Sequence, residues 1–317
     1  MGKVAIVFPG QASQYSGMGK DLAEKYPSAR AVFDDADQAL GFSISKICFE
    51  GTEDELKLTA NTQPAILTVS VAAFRVLSEK GIAPDYVAGH SLGEYSALVA
   101  AGALNFADAV RLVRKRGTYM QEAVPAGQGA MAAILGISPA VVQDACKRAA
   151  EGEICSAANL NSPEQTVISG HANAIKRAVE IASQSGAKRA VILPVSAPFH
   201  CAMMMPAQEK LEKDLQATHF SDLQIPLVTN VDADSIRKGD EARQALVRQV
   251  CMPVLWEGSM RFLLDEDVRT IIEVGPGRVL TGIMRQIERS VTTLKVEDEK
   301  SLNATIEKIV AAKIDAA

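Results

Sequence analysis

Short apolar runs alternate with longer amphipathic segments through the first 126 residues. KVAIVF at 3–8 stops at Pro9-Gly10, and YVAGHS begins a second apolar run at Tyr86. Runs of this kind, bounded by glycine or proline, are typical of buried strands. Between and after them the pattern predicts helices: a capping box at 52–55, an apolar helix over 64–80 and a helix, LGEYSALVAAG, at 92–102. This alternation predicts a parallel sheet covered by helices.

The pattern changes between residues 127 and 196. There the segments predict strand, helix, strand, strand, helix and strand, which is the order of a ferredoxin-like unit. After residue 197 the α/β alternation resumes, with strands predicted at 225–231 and 268–277. The sequence therefore predicts an α/β fold class: a large α/β-hydrolase-like subdomain with a parallel sheet (1–126 and 197–317) and an inserted small ferredoxin-like (βαββαβ) subdomain (127–196). We expect the ligand site in the cleft between them, near the carboxyl ends of the strands.

The segment GHSLG, residues 89–93, joins the second predicted strand to the following helix. It fits the G-x-S-x-G pattern, whose glycines permit a sharp strand-to-helix turn that exposes the serine hydroxyl. The backbone N–H of Leu92 would then lie where an oxyanion forms. Ser91 is predicted to be a nucleophile, although a serine that only caps the helix also fits the pattern. The loop 9–19 either supplies a second oxyanion N–H or simply crosses the surface.

A nucleophilic serine needs a base, and the chain has four histidines. His90 adjoins Ser91 and is assigned a packing or orienting role, while His171 precedes a helix and His219 lies in a polar stretch. His200 follows the last strand of the insertion, where the two subdomains rejoin. We therefore predict His200 at the mouth of the cleft as the general base, against the more common role of a loop histidine on the surface or in the core.

The helix predicted over 106–124 carries one arginine on its apolar side. At about 100° per residue its apolar positions form one stripe, and Arg111, Arg114 and Lys115 point away from it. Arg116 instead falls inside the apolar arc. A buried guanidinium without an anion is costly, and its planar fork suits a carboxylate. Either an internal Asp or Glu or a substrate carboxylate is expected to pair with it.

The bulk composition restricts the function classes. The 317-residue chain has a formal net charge of -5 and no basic block at either end, which argues against general binding of nucleic acid or anionic lipid. No signal-peptide pattern and no run of roughly 18 apolar residues is present, so we expect a cytoplasmic protein without membrane association. The five cysteines lack metal-ligand spacing, so we expect reduced thiols and no metal site.

Segments along nearly the whole chain resemble one enzyme family. From about Lys3 to the 290s, the chain contains in the family's order FPGQASQ, GHSLGE, RKRGTYMQ, GAMAAILG, NLNSPEQTVISG, PVSAPFHCAMM, QVCMPVLW and EVGPGRVLTG. These motifs resemble those of the malonyl-CoA:acyl-carrier-protein transacylases of bacterial type II fatty acid synthesis and, more loosely, acyltransferase domains of polyketide synthases. The resemblance implies transfer of a malonyl group from malonyl-CoA to the phosphopantetheine thiol of acyl carrier protein through a malonyl-serine intermediate.

The resemblance also implies roles for individual residues. It makes Ser91 the nucleophile and His200 its general base and acid. Gln249 becomes the residue whose backbone carbonyl orients the histidine, in place of a triad carboxylate. The backbone N–H groups of Gln11 and Leu92 would form the oxyanion hole.

A second group of residues is assigned to substrate binding. The resemblance makes Arg116 the partner of the free malonyl carboxylate, and Phe199 the ring that leaves little room for branched acyl groups. Asn161 and Met120 complete the predicted substrate-binding set. One departure concerns the first loop, where Ala12 stands in place of the family's usual glycine; a positive φ there would require the loop to adjust.

The implied partners are malonyl-CoA and acyl carrier protein, and the implied enzyme is a monomer with no cofactor beyond the coenzyme A thioester that is its substrate. Carrier proteins are typically acidic, so a local basic patch is expected to dock them, with the candidates Lys188, Arg189, Arg285 and Arg289. Two rival functions share the serine motif or the fold: a hydrolase with a true triad carboxylate, and a non-catalytic module that binds carrier protein. The insertion and the inward arginine favour transfer.

Overall fold

Two separate β-sheets organise the protein. The computed structural model describes residues 2–195 and 197–314. Its strands are β1 (Lys3–Phe8), β2 (Tyr86–Gly89), β3 (Gly129–Leu135), β4 (Cys155–Ser162), β5 (Gln165–His171), β6 (Arg189–Ile192), β7 (Leu227–Val228), β8 (Ser235–Ile236), β9 (Val268–Val274) and β10 (Thr292–Val296). Six strands form one sheet in the order β10-β9-β1-β2-β7-β8, which is parallel except for the pair β7–β8. The other four form an antiparallel sheet in the order β4-β5-β3-β6.

Helices connect and cover the strands. In chain order they are α1 (Lys20–Lys25), α2 (Pro27–Leu40), α3 (Ile44–Glu50), α4 (Glu53–Lys57), α5 (Thr59–Glu79), α6 (Gly93–Ala100), α7 (Phe106–Glu122), α8 (Pro139–Ala150), α9 (Ala172–Gln184), α10 (Met205–Ala217), α11 (Gly239–Gln249), α12 (Trp256–Asp265), α13 (Val279–Ile287) and α14 (Glu299–Ile314). A short 3-10 turn at Ala202–Met204 precedes α10. None of the helices in the described ranges is long and apolar enough to cross a lipid bilayer.

Side-chain alternation along β1 explains why helices cover both faces of the large sheet. Ile6 and Phe8 belong to the apolar cluster that includes α2, α5 and α7, whereas Ala5 and Val7 belong to the cluster that includes α12 and α13. Successive side chains of a strand point to opposite faces, and a strand buried on both faces is a continuous apolar run. The predicted parallel sheet between helices is confirmed.

The antiparallel sheet is built from one contiguous stretch of chain. Its strands and two helices follow one another as β3, α8, β4, β5, α9 and β6. The two helices pack on the sheet through a separate apolar cluster that includes Ile134, Val142 and Ile175. The predicted insertion over 127–196 ends at Ser196, which lies outside the described residues, as do Met1 and 315–317.

Several predicted bounds differ from the structure, and two of them bear on the site. The helix expected over 64–80 begins at Thr59, because its first turn buries polar side chains that an apolar pattern does not detect; Gln63 is one of them. The strand expected over 225–231 is limited to β7, because the chain turns at Thr229, whose N–H donates to the Asp234 carbonyl. That turn carries Asn230 toward the end of β2.

Candidate active site

Ser91 lies on a sharp turn between β2 and α6. Its backbone φ is 50°, in the left-handed region that L residues avoid. Glycines on either side make the turn possible, because a Cβ on Gly89 would lie 1.9 Å from the Gly93 carbonyl carbon. A Cβ on Gly93 would lie 2.1 Å from the Phe8 carbonyl oxygen. The glycine spacing is therefore required by the close approach of three backbone segments.

Ser91 and His200 meet at hydrogen-bond distance, with 2.7 Å between the serine Oγ and the histidine Nε2. The other ring nitrogen, Nδ1, lies 2.8 Å from the backbone oxygen of Gln249. A carbonyl only accepts, so Nδ1 carries the proton and Nε2 is left to accept from the serine hydroxyl. His200 is 4% exposed. The residue lines the cavity beside Ser91 and is buried rather than open to solvent.

Burial keeps the imidazole of His200 neutral. Loss of solvent, followed by the positive charge of Arg116, lowers the pKa of His200 to about 3. The neighbouring His90 is partly buried, and loss of solvent lowers its pKa as well. A neutral imidazole is the form that can take a proton from a serine.

Arg116 projects from α7 into the same buried region and is 1% exposed. Its guanidinium donates to Gln63 Oε1 at 2.9 Å, to Gln249 Oε1 at 2.9 Å and to Ser91 Oγ at 3.0 Å. It also lies 5.6 Å from the centroid of the Tyr95 ring. Within the described residues no carboxylate lies at ion-pair distance from it, and its Nε has no hydrogen-bond partner. Burial lowers the pKa of Arg116, and the charge of the buried Glu94 opposes this shift. The internal carboxylate considered from the sequence therefore acts on Arg116 without forming an ion pair with it in the described part of the chain.

Two backbone N–H groups lie beside the serine. Among the described residues, neither the N–H of Gln11 nor that of Leu92 donates a hydrogen bond. Leu92 is the N-cap residue of α6, where first-turn N–H groups lack intrahelical acceptors. Ala12 has φ 76°, and its N–H donates to Gln14 Oε1 at 2.8 Å. The alanine therefore takes the left-handed conformation that glycine adopts more readily.

A cavity of about 780 Å³ opens onto Ser91 and His200. Its walls come from the antiparallel sheet and from loops and helices that follow strands of the large sheet, and they include the predicted site residues Gln11, Met120, Asn161 and Phe199. Arg116, Leu92 and Gln249 do not line it and lie behind the serine and histidine. A volume of this size suits a drug-sized organic ligand.

His90 and Asn161 form a polar contact on the cavity wall. Asn161 Oδ1 lies 2.9 Å from His90 Nε2, and the His90 ring packs 5.3 Å from the Trp256 ring. His90 therefore orients an amide rather than the nucleophile beside it.

Three buried polar residues that the sequence reasoning did not single out contact this site. Gln63 bonds to Arg116, Glu94 Oε2 accepts from the Gln249 side chain at 2.8 Å, and Asn230 Oδ1 accepts from the Ser91 N–H at 2.7 Å. A signal for Glu94 existed, because it is the single charged residue of α6, whose other positions are mostly apolar. Asn230 carried no such signal in its predicted strand.

The basic residues proposed for docking are on the surface. Lys188 pairs with Glu164 at 3.1 Å, and Arg189 lies exposed in β6. Arg285 and Arg289 line a second cavity of about 460 Å³. In the described ranges no three His, Cys, Asp or Glu side chains are grouped as a metal site.

Comparison with known proteins gives one family. The model of the acyl transferase domain matches residues 5–306. The malonyl CoA-acyl carrier protein transacylase of Bacillus subtilis (strain 168) is 49% identical over 308 residues, which is 97% of each chain. The structure of the transacylase from Clostridium perfringens has a TM-score of 0.96 at 40% identity and covers 99% of each chain. A malonyl-transacylase solved in complex with a type II PKS acyl-carrier protein has a TM-score of 0.94 at 46% identity, covering 96% of this chain and 99% of that one. The chain therefore belongs to the acyl transferase domain family, among the malonyl CoA-acyl carrier protein transacylases.

Proposed function

We propose that the protein transfers a malonyl group from malonyl-CoA to the phosphopantetheine thiol of acyl carrier protein, which supplies fatty acid chain elongation. One observation carries the proposal: Ser91 Oγ lies between the Nε2 of a neutral His200 and the guanidinium of an Arg116 without an ion-pair partner in the described chain. The nucleophilic oxygen is thus in contact with both a base and a cation that can bind the substrate. The names of the relatives and the solved complex with an acyl-carrier protein support the same activity.

The first half-reaction forms an ester on Ser91. The hydroxyl gives its proton to His200 Nε2 as Oγ attacks the thioester carbonyl. The backbone N–H groups of Gln11 and Leu92 stabilise the resulting oxyanion. The C–S bond then breaks, and the thiol of coenzyme A leaves with the proton from His200. The Gln249 carbonyl stays bonded to Nδ1–H and holds the imidazolium that forms in between.

The second half-reaction repeats these steps with a different thiol. The phosphopantetheine thiol of the carrier gives its proton to His200 and attacks the ester carbonyl. The bond to Ser91 Oγ breaks, and the oxygen recovers its proton from the imidazolium. Because one product leaves before the second substrate reacts, the kinetics are ping-pong.

Arg116 selects the acyl group. In a malonyl ester only three carbon atoms separate Oγ from the free carboxylate oxygens, so a guanidinium that contacts Oγ is within reach of that carboxylate. Within the described residues its buried Nε–H has no hydrogen-bond partner, and we propose that it takes part in this contact once the ester has formed. Phe199, Met120 and Asn161 line the cavity and are proposed to bound the space beside the ester.

We also propose subdomain bounds, a cellular location, an oligomeric state and a docking surface for the carrier protein. We assign residues 1–126 and 197–317 to an α/β-hydrolase-like catalytic subdomain, and 127–196 to a ferredoxin-like insertion. The strand order β4-β5-β3-β6 and the continuous chain of the small sheet support this division. The enzyme is proposed to act as a cytoplasmic monomer without cofactor, nucleic acid or membrane partner. Arg285 and Arg289, at an open basic cavity, are the better docking candidates because Lys188 is already paired.

Intact mass after brief mixing with malonyl-CoA tests the function. We expect a malonyl adduct that is absent in Ser91→Ala and moves to added holo acyl carrier protein. Rapid release of free malonate without carrier would instead indicate a hydrolase. A chain that gives neither adduct nor turnover would be a binding module.

A further inference from the structure

Asn230 bonds to both sides of the turn that carries Ser91. Its Oδ1 accepts from the Ser91 N–H at 2.7 Å, and its Nδ2 donates to the Gly89 carbonyl at 2.7 Å. The turn is strained because Ser91 has φ 50°, and such a conformation persists only where its surroundings hold it. Asn230 therefore fixes the backbone of the nucleophile from outside the turn.

Glu94 joins Asn230 to the residue that orients the base. Its side chain is 1% exposed. A single oxygen, Oε2, accepts from the Asn230 backbone N–H at 3.1 Å and from Gln249 Nε2 at 2.8 Å. The same Nε2 also donates to the Ser91 carbonyl at 3.0 Å. The side chain of Gln249 is thereby pinned, while its backbone carbonyl accepts from His200.

We propose that Asn230 and Glu94 are positioning residues that hold the Ser91 turn and the Gln249 carbonyl in one rigid frame. The proposal rests on the function proposed above, in which Ser91 and His200 react together. Neither residue lines the cavity, so both act through Ser91 and Gln249 rather than on the substrate.

The frame joins three segments that are distant in the sequence: the β2–α6 turn, the turn after β7 and the end of α11. Without these hydrogen bonds, only side-chain packing would hold Ser91 at a fixed distance from the Gln249 carbonyl that orients His200. A misplacement of about 1 Å between reacting groups costs on the order of a hundredfold in rate. The expected effect therefore falls on the rate of acylation and leaves substrate affinity unchanged.

Reaction of Ser91 with a fluorophosphonate measures its positioning without malonyl-CoA. The serine proton passes to His200 Nε2, the serine oxygen bonds to phosphorus, and fluoride leaves as the P–F bond breaks. The adduct is followed by intact mass. We expect Asn230→Ala and Glu94→Ala to lower this rate constant by about 10- to 100-fold. Glu94→Gln, which keeps a carbonyl acceptor for both N–H donors, should recover most of the rate. With malonyl-CoA, the maximal acylation rate should fall while the half-saturating concentration stays constant.

Glu273→Gln is the matched control. Glu273 is also a buried carboxylate, and it accepts from the backbone N–H groups of Leu280 and Thr281 without contacting Ser91, His200 or Gln249. We expect this variant to lose stability, measured by thermal unfolding, and to keep the parental phosphonylation rate. An equal loss of rate in Glu273→Gln would overturn the proposal, as would folded Asn230→Ala or Glu94→Ala variants with the parental rate.

A further variant tests Asn230 if its alanine variant is unfolded. If Asn230→Ala does not fold, Asn230→Asp retains the acceptor for the Ser91 N–H but loses the donor to Gly89, and a parental rate there would contradict the frame. A parent protein that reacts with the fluorophosphonate but never accepts malonyl from malonyl-CoA would refute the proposed function alone. The fluorophosphonate comparison among variants would still decide the role of Asn230 and Glu94.

Discussion

Replacing Arg116 with alanine should abolish most of the preference for malonyl over acetyl groups. In the parent the guanidinium is buried, but it already bonds to Gln63, Gln249 and Ser91. When an acetyl group is bound, the guanidinium still has these three acceptors. Acetyl binding therefore does not carry the full free-energy cost of an unpaired buried charge. The preference comes from the charge-assisted hydrogen bonds to the malonyl carboxylate, each worth about 1.5–3 kcal/mol. At about 1.4 kcal/mol per tenfold, one such bond gives a preference of about 10- to 100-fold.

The assay is the time course of the Ser91 adduct by intact mass, with malonyl-CoA and acetyl-CoA in separate quenched reactions. Both rates should fall in Arg116→Ala, since the arginine also contacts Ser91 Oγ. The ratio of the two rate constants removes this shared loss and isolates the carboxylate. Arg116→Met, which fills more of the space beside Tyr95, should change the ratio in the same way.

Arg114→Ala is the matched control on the same helix. Arg114 bonds to Asn61 and lies over the Phe42 ring, so its loss should leave the malonyl-to-acetyl ratio at the parental value. If Arg116→Ala folds and still prefers malonyl by the parental factor, the assignment of the carboxylate partner is wrong. An equal change of the ratio in Arg114→Ala would attribute the effect to a disturbed helix.

Further predictions concern the base and the strained backbone. His200→Ala should slow malonylation of Ser91 by about 10²- to 10⁴-fold, measured by quenched intact mass, because general-base assistance is lost. The pKa of His200 is lowered from 6.5 to about 3, so below about pH 6.5 the unfolded chain binds a proton that the folded protein does not bind until about pH 3. The free energy of unfolding should therefore fall as the pH is lowered from about 6.5 to about 3. In urea titrations at about pH 7 and about pH 5, its decrease between the two pH values should be smaller for His200→Gln than for the parent. Ala12→Gly should raise the free energy of unfolding by about 1 kcal/mol in urea titrations, with malonylation unchanged, because φ 76° suits glycine. Gly93→Ala should cost about 3 kcal/mol or more in thermal unfolding, because its Cβ would lie 2.1 Å from the Phe8 carbonyl oxygen.

The sequence predicted the features that have a local cause. The apolar run of β1 and the glycines around Ser91 follow from rules about nearby residues, and so does the inward direction of Arg116 on an amphipathic helix. The Thr52 capping box formed as predicted: the Glu55 N–H donates to Thr52 Oγ1, and the Thr52 N–H donates to the Glu55 carboxylate. In each case a spacing of at most a few residues determines the result.

The remaining features depend on contacts across the chain. Gln249 acts on His200 through a backbone carbonyl, which every residue type has, so residue identity alone cannot reveal the role. Asn230 is 139 residues from Ser91 in the sequence, and its bond to the serine N–H depends on an early end of β7. A strand rule expects Asn230 to continue the strand. Only the packing of β2 beside β7 brings its amide to the turn.

The two residues that react share a strained backbone. Ser91 has φ 50° and His200 has φ 59°, and they are two of the six non-glycine residues with positive φ in the described chain. Each such residue costs on the order of 1–3 kcal/mol. Glycine at either position would relieve the strain but would remove the hydroxyl or the imidazole. Both positions therefore keep a side chain on a backbone conformation that is unfavourable without surrounding contacts. The hydrogen bonds between Asn230 and the serine turn, and the bond that the imidazole donates to the Gln249 carbonyl, offset that cost where the reacting atoms meet. The buried polar network behind the cavity is therefore expected to be the part of the fold on which the geometry of catalysis depends most.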